Sequence, residues 1–182
     1  MSSFVSNSKT LLFVRLCSLA AVGLVLLLPV SKASGAGNQA FGFGSSRISG
    51  FPGGRAAEVT GGGAFNLSEN FVNSGGSFSC LANITAGPFN GCQTGQGVRW
   101  DTAALLPSST FQCTGADAVK TAHTENSTVA LVADFYRQGD GNVESFTAKM
   151  IVSENDLAPE IPGVQNVWIQ GVGCGDAVVS FR

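Results

Sequence analysis

Four cysteines carry the strongest chemical signal in this sequence. Cys80, Cys92, Cys113 and Cys174 lie in the body of the chain, and a fifth, Cys17, sits in an apolar run near the N-terminus. Four thiols can hold zinc or form two disulfides. No C-x2-C pair occurs, and structural zinc sites are commonly built on that spacing. Disulfides are therefore the expectation, provided the chain meets an oxidising compartment. Three connectivities are open from sequence alone. Cys80–Cys92 with Cys113–Cys174 is favoured, because the first closes a local loop and the second ties a middle strand to the last one. Closing that longer loop is worth about 4 kcal/mol on the chain-entropy law.

Other residues could do chemistry. Asp134, Asp140, Asn142 and Glu144 gather oxygen ligands around one hairpin, and Asp140-x-Asn142-x-Glu144 has the alternate spacing of a calcium loop. The distal bidentate Glu of the full loop is missing, and the same residues serve a polar turn, so the expectation is structural. His123, the only histidine, lies in a polar loop with no G-x-S-x-G nucleophile motif elsewhere, and is read as solvated. Trp100, Tyr136 and Trp168 could form an aromatic surface for a sugar. Both tryptophans stand on predicted strands, where a place in the core is equally natural. A two-carboxylate hydrolase would need a pair of acids brought together by the fold, and spacing selects none of the twelve. No cofactor is expected. Asn66, Asn83 and Asn126 begin N-x-[ST] sequons, which matter only in a eukaryotic secretory pathway.

The compartment follows from the N-terminus. Lys9 and Arg15 precede residues 16–30, fifteen positions without charge, and then comes Ser31-Lys32-Ala33-Ser34-Gly35-Ala36. A basic region, an apolar region and a small-residue cleavage zone are the layout of a secretory signal peptide. The rival is a retained anchor, but the run falls short of the ~20 residues that span a bilayer. Residues 1–33 are thus assigned as signal peptide, with cleavage after Ala33 or Ala36. Cys17 leaves with it, and contact with the membrane is transient. The expected location is secreted or extracytoplasmic, in a periplasm or at a cell surface. Losing Lys9, Arg15 and Lys32 leaves seven basic residues against twelve acidic ones. That balance argues against nucleic acid or an anionic membrane as partner. The ligand and partner stay unknown.

These side chains must be positioned by strands. Residues 34–54 are rich in Gly and Ser and carry Phe41, Phe43 and Phe51; they are read mainly as a loose stem, the alternative being a first strand with alternating aromatics. From 55 to 182 the chain breaks into short alternating runs punctuated by Gly, Asn, Asp and Pro. Strands are predicted over 57–67, 77–84, 97–101, 109–113, 128–137, 144–153, 166–171 and 177–181. Val129, Leu131, Ala133 and Phe135 share one face, as do Phe146, Ala148, Met150 and Val152. Such alternation requires half-buried strands packed on a second layer. Asp140-Gly141-Asn142 predicts the turn of a hairpin. Helical signal is confined to single turns at 101–106 and 153–157. The expected fold is all-β: an antiparallel β-sandwich of about eight short strands with two disulfides.

Four stretches carry a resemblance. They are Val59-Thr60-Gly61-Gly62-Gly63-Ala64-Phe65, Gly97-Val98-Arg99-Trp100-Asp101, the segment 134–152 with its Asp-Gly turn, and Ile169-Gln170-Gly171-Val172-Gly173. Together they resemble the Gly-rich β-sandwich domains of unknown function in secreted bacterial proteins, which accompany surface-anchor or immunoglobulin-like modules. The resemblance implies an extracytoplasmic β domain and carries no catalytic residues. The four cysteines depart from it. The expected function is a non-enzymatic structural or interaction module. The alternatives are a carbohydrate- or calcium-dependent binding domain and a small hydrolase using a carboxylate pair.

Overall fold

The structure, a computed structural model, describes residues 37–49, 57–83, 90–137 and 146–182. Residues 1–33, expected as a signal peptide, lie outside them, as do Asp140, Asn142 and Glu144 of the expected hairpin turn. Ten strands follow one another: β1 (Gln39–Ser49), β2 (Ala57–Asn66), β3 (Phe71–Cys80), β4 (Gly97–Leu106), β5 (Ser108–Phe111), β6 (Lys120–His123), β7 (Thr128–Arg137), β8 (Phe146–Ser153), β9 (Val167–Ile169) and β10 (Gly173–Phe181). No described residue is helical. Eight strands close into an antiparallel barrel in the order β1-β10-β9-β8-β7-β4-β3-β2, and β5 and β6 form a separate two-stranded sheet.

The expected sandwich is therefore corrected to a closed barrel. The alternation was read properly, since one face of each strand is buried, but the second layer is the far wall of the same sheet. Closure rests on β1 pairing with β10, from Phe41 opposite Phe181 to Ser49 opposite Cys174. The expected stem at 34–54 is corrected by the same pairing. Its Gly/Ser-rich segment supplies β1, with Phe41, Phe43 and Ile48 inside the barrel.

Period-two alternation fills the interior. Val129, Leu131, Ala133 and Phe135 of β7 face inward, fully buried, and Ala148, Met150 and Val152 of β8 join them. Phe65, Phe78 and Trp100 complete a solid core, as expected where eight strands leave just enough room for side chains. The outward positions carry Thr60, Ser77, Arg99, Asp101, Asp134, Thr147 and Asp176. Apolar inside and polar outside is the inverse of a membrane-spanning barrel.

The largest buried side chain sets the glycine pattern. Trp100 donates its indole Nε1–H to the carbonyl of Thr60 at 3.1 Å. A Cβ on Gly61 would stand 2.3 Å from the indole ring, and one on Gly76 2.7 Å from Nε1. Gly61 and Gly76 face each other across the β2–β3 ladder, so the glycines clear a slot for one tryptophan.

Three local expectations fail for physical reasons. Residues 101–106 continue β4 instead of turning as a helix. The register slips between Thr102 and Ala104, and such a bulge masks the alternation. The segment 153–157 ends β8 and then bends without helix. His123 belongs to β6, not to a loop, because its backbone pairs with Ser108.

A second core lies outside the barrel wall. Ala130, Ile151, Trp168 and Cys174 point outward from β7 to β10 and are covered by Phe111, Cys113, Ala116, Ala122 and Ala158. The cover consists of the β5–β6 hairpin and the segment 154–166. The disulfides pair as favoured from sequence, Cys80 with Cys92 and Cys113 with Cys174. The second pins the cover to the last strand. Two disulfides are consistent with an extracytoplasmic location.

Candidate functional site

The aromatic constellation is not assembled, and of the calcium candidates only Asp134 lies among the described residues. Trp100 is sealed inside the barrel. Trp168 is in the outer core, its ring tilted by 56° against Phe111 with centroids 6.0 Å apart, and it donates Nε1–H to the Gln112 carbonyl at 3.2 Å. Tyr136 is half-buried on the outer face of β7 beneath the Arg99 guanidinium, 4.0 Å from its ring centroid. The three aromatics thus occupy three different surfaces. Asp134 faces outward and accepts a 2.5 Å hydrogen bond from the Thr147 hydroxyl. No described group of three His, Cys, Asp or Glu residues could hold a metal ion.

One carboxylate pair does form. Asp101 stands opposite Asp134 across β4 and β7, close enough for like charges to repel. Arg99 offsets this by donating to Asp101 at 2.8 Å. The pair sits on the outer face of the barrel.

A described cleft lies at the barrel end where β2 turns into β3. Asn66 fixes that turn. Its Oδ1 accepts from the Ser68 amide at 3.1 Å, the Ser68 hydroxyl at 2.7 Å and the Glu69 amide at 3.3 Å. An Asx side chain satisfying its own turn is a standard stabiliser. Asn70 closes the turn with φ of 49°, a left-handed conformation that asparagine tolerates better than most residues. Asn66 is therefore buried and committed to the turn, whereas Asn83 and Asn126 are exposed.

The facing wall is the turn between β6 and β7. Thr124 is buried, donating its hydroxyl to the Leu106 carbonyl at 2.5 Å and accepting from the Ala130 amide at 3.0 Å. Glu125 and Thr128 exchange backbone hydrogen bonds of 2.8 and 3.2 Å. This rigid ridge divides two clefts. The larger, about 340 Å³, is lined by Gln39, Phe65, Leu67, Ser68, Glu125 and Asn126 among others. Gln39 donates Nε2–H to Asn126 Oδ1 at 2.5 Å across its edge. Behind it, Phe65 meets Phe41 and Phe181 with centroids 6.0 and 6.2 Å away. Leu67, 45% exposed, stands at the rim.

The smaller cleft, about 270 Å³, runs past His123, Glu125, Asp156 and Lys120. Its charged groups are largely tied down. Lys120 pairs with Glu160 and donates to the Leu157 carbonyl at 3.2 Å. The hydrogen bond from Lys120 holds the Glu160 carboxyl below its ordinary range, helped by its own backbone. Asp156 Oδ1 accepts from the Ala158 and Gln165 amides at 3.0 and 3.2 Å.

The larger cleft was not visible in the sequence. Its residues come from three segments and carry no motif; the only local signal is the Asn-x-Ser turn at 66–68. No family model, curated protein or solved structure matches the chain.

Proposed function

We propose that this protein is an exported, non-enzymatic interaction module that binds through the cleft between the β2–β3 turn and the Thr124–Thr128 turn. The observation that carries the reading is the chemistry of that cleft. A back wall of Phe65 and an exposed Leu67 meet a rim of Gln39, Ser68, Asn126 and Glu125. Small-ligand sites combine an apolar surface with a few orienting polar groups in this way, and the volume is at the lower end of their range. The fitting ligand is a compact apolar group with a hydrogen-bonding handle, such as an aliphatic side chain with its amide. The catalytic alternative is weaker, because Asp101 of the Asp101–Asp134 pair is held by Arg99 on the outer face of the barrel.

The test is amide chemical-shift titration of the exported protein with N-acetyl-leucine amide, and with methyl glucoside as the comparison probe. The leucine amide should move Ser68, Glu125 and Asn126 at millimolar concentration, and Leu67→Asp should abolish the response. Shifts centred on Tyr136 and induced by the glucoside would replace this reading with a carbohydrate-binding one. No response to either probe would contradict it.

A further inference from the structure

The larger cleft has a third wall, made by the chain as it enters the barrel. Gly37 and Gln39 line it there, beside Phe65 and Leu67. Two hydrogen bonds hold this entry in place. Asn66 donates Nδ2–H to Asn38 Oδ1 at 3.4 Å, and Gln39 donates Nε2–H to Asn126 Oδ1 at 2.5 Å. Gly37 itself is exposed. A Cβ added to it would meet nothing within 4 Å, so the wall is open to a ligand at this point.

The charge of the cleft is one-sided. Glu125, on the ridge shared with the smaller cleft, is the only charged residue among those lining the larger one. The chain can supply the opposite charge from its own start. The expected cleavage zone offers Ala33 and Ala36. Cleavage after Ala36 makes Gly37 the first residue, and its backbone nitrogen becomes an α-amino group on the cleft wall. Such a group has an ordinary pKa of about 8 and is mostly protonated at neutral pH. Cleavage after Ala33 would leave Ser34, Gly35 and Ala36 between the amine and the wall.

We propose that the mature chain begins at Gly37 and that its α-ammonium, together with Glu125, makes the cleft a site for a free aliphatic amino acid such as leucine. This rests on the cleft being the binding site and names its ligand. The ligand carboxylate meets the Gly37 ammonium, and the ligand ammonium meets the Glu125 carboxylate. Both are charge-assisted hydrogen bonds, the stronger kind. The side chain lies on Phe65 and Leu67, where an apolar surface favours an aliphatic group over a polar one. A free amino acid carries both charges on one α-carbon. A longer peptide holds them far apart, a fatty acid offers nothing to Glu125, and an aliphatic amine offers nothing to Gly37.

The intact mass of the exported protein should match a chain starting at Gly37. Amide chemical-shift titration then compares four probes: leucine, leucine amide, N-acetyl-leucine and N-acetyl-leucine amide. They carry both charges, the ammonium alone, the carboxylate alone and neither. Leucine should bind about tenfold more tightly than the neutral probe, and removing either of its charges should weaken it. In a chain made to start at Ser34, leucine and leucine amide should bind alike. In Glu125→Gln, leucine and N-acetyl-leucine should bind alike. The neutral probe should shift Ser68 and Asn126 equally in all three proteins, which establishes that the cleft is intact in each. An exported chain starting at Ser34 would overturn the proposal. So would leucine binding no tighter than the neutral probe, a result that would leave the cleft as a site for uncharged ligands. Silence from all four probes would overturn the cleft reading as well.

Discussion

The barrel interior and the layer outside it bury apolar side chains in opposite ways. Inside, Trp100, Phe78, Phe135, Leu131 and Met150 are enclosed by eight strands whose edges are joined to one another. These inward residues are covered because the wall is closed around them, and burial alone provides a cohesive core. Outside, Trp168, Ile151 and Ala130 are covered by two strands of four residues each and by the segment 154–166. A two-stranded hairpin is marginal in water. It holds here because specific bonds fasten it: the Cys113–Cys174 disulfide, the Trp168–Gln112 hydrogen bond and the Lys120–Glu160 pair. The difference teaches that the chain has one core maintained by enclosure and another maintained by fasteners.

Substitutions inside the barrel should have the largest effect. Trp100→Ala removes the largest buried side chain and should cost about 3–5 kcal/mol in denaturant unfolding. Gly61→Ala should cost about 3 kcal/mol from the opposite direction, since the new Cβ meets both the indole and the Gly75 carbonyl at 2.8 Å. In a Trp100→Leu background the cost of Gly61→Ala should shrink, because the two sites share one space. Additive effects would show that the glycine does not serve the tryptophan.

The disulfides come next. Cys113 and Cys174 are separated by 61 residues and Cys80 and Cys92 by 12. Replacing each pair with alanine should cost about 4 and about 3 kcal/mol respectively on the chain-entropy law. The two losses should also differ in kind. The first should loosen the outer layer, whereas the second should affect only the neighbourhood of the β3–β4 connection. Near-ultraviolet circular dichroism, which reports Trp168 in the outer core, should change in the first variant and stay constant in the second.

The smallest effect concerns pH. Glu160 is held below its ordinary value of 4.5 by Lys120. A carboxyl depressed in the folded state contributes stability above its unfolded pKa and loses it as pH falls through the folded one. Proteolysis within 154–166 should therefore accelerate modestly below about pH 4.5, and Glu160→Gln should flatten that dependence. A wild-type profile indistinguishable from that of Glu160→Gln would show that the pair fastens nothing.

Much of this architecture was legible in the sequence. β7 matches its predicted limits because ten residues alternate without interruption, and β8 carries the complementary pattern. The cysteine pairing was favoured because one bond closes a local loop and the other ties a middle segment to the last strand, although spacing alone left three connectivities open. What was missed has physical causes. In β1, glycines interleave the phenylalanines and look like a flexible stem. The first half of β3, Phe71-Val72-Asn73-Ser74-Gly75-Gly76, has turn composition because Gly75 and Gly76 make room for neighbours. β6 is four residues long, with only Ala122 buried among its side chains. Closure was invisible because the pairing of Phe41 with Phe181 spans nearly the whole domain, and local periodicity reports burial but not what lies opposite. The cleft was missed for a related reason, since turns from distant segments build it and no one of them has a recognisable pattern.

The contrast between an enclosed core and a fastened cover is tested most directly by native-state amide hydrogen exchange on the Cys113→Ala/Cys174→Ala variant. Exchange resolves opening element by element. Amides of β5 and β6 should lose most of their protection, while those of β3, β4 and β7 stay protected to within the global loss of stability. Uniform loss of protection across β5, β6 and β7 would contradict the account, because it would make the barrel and its cover a single cooperative unit.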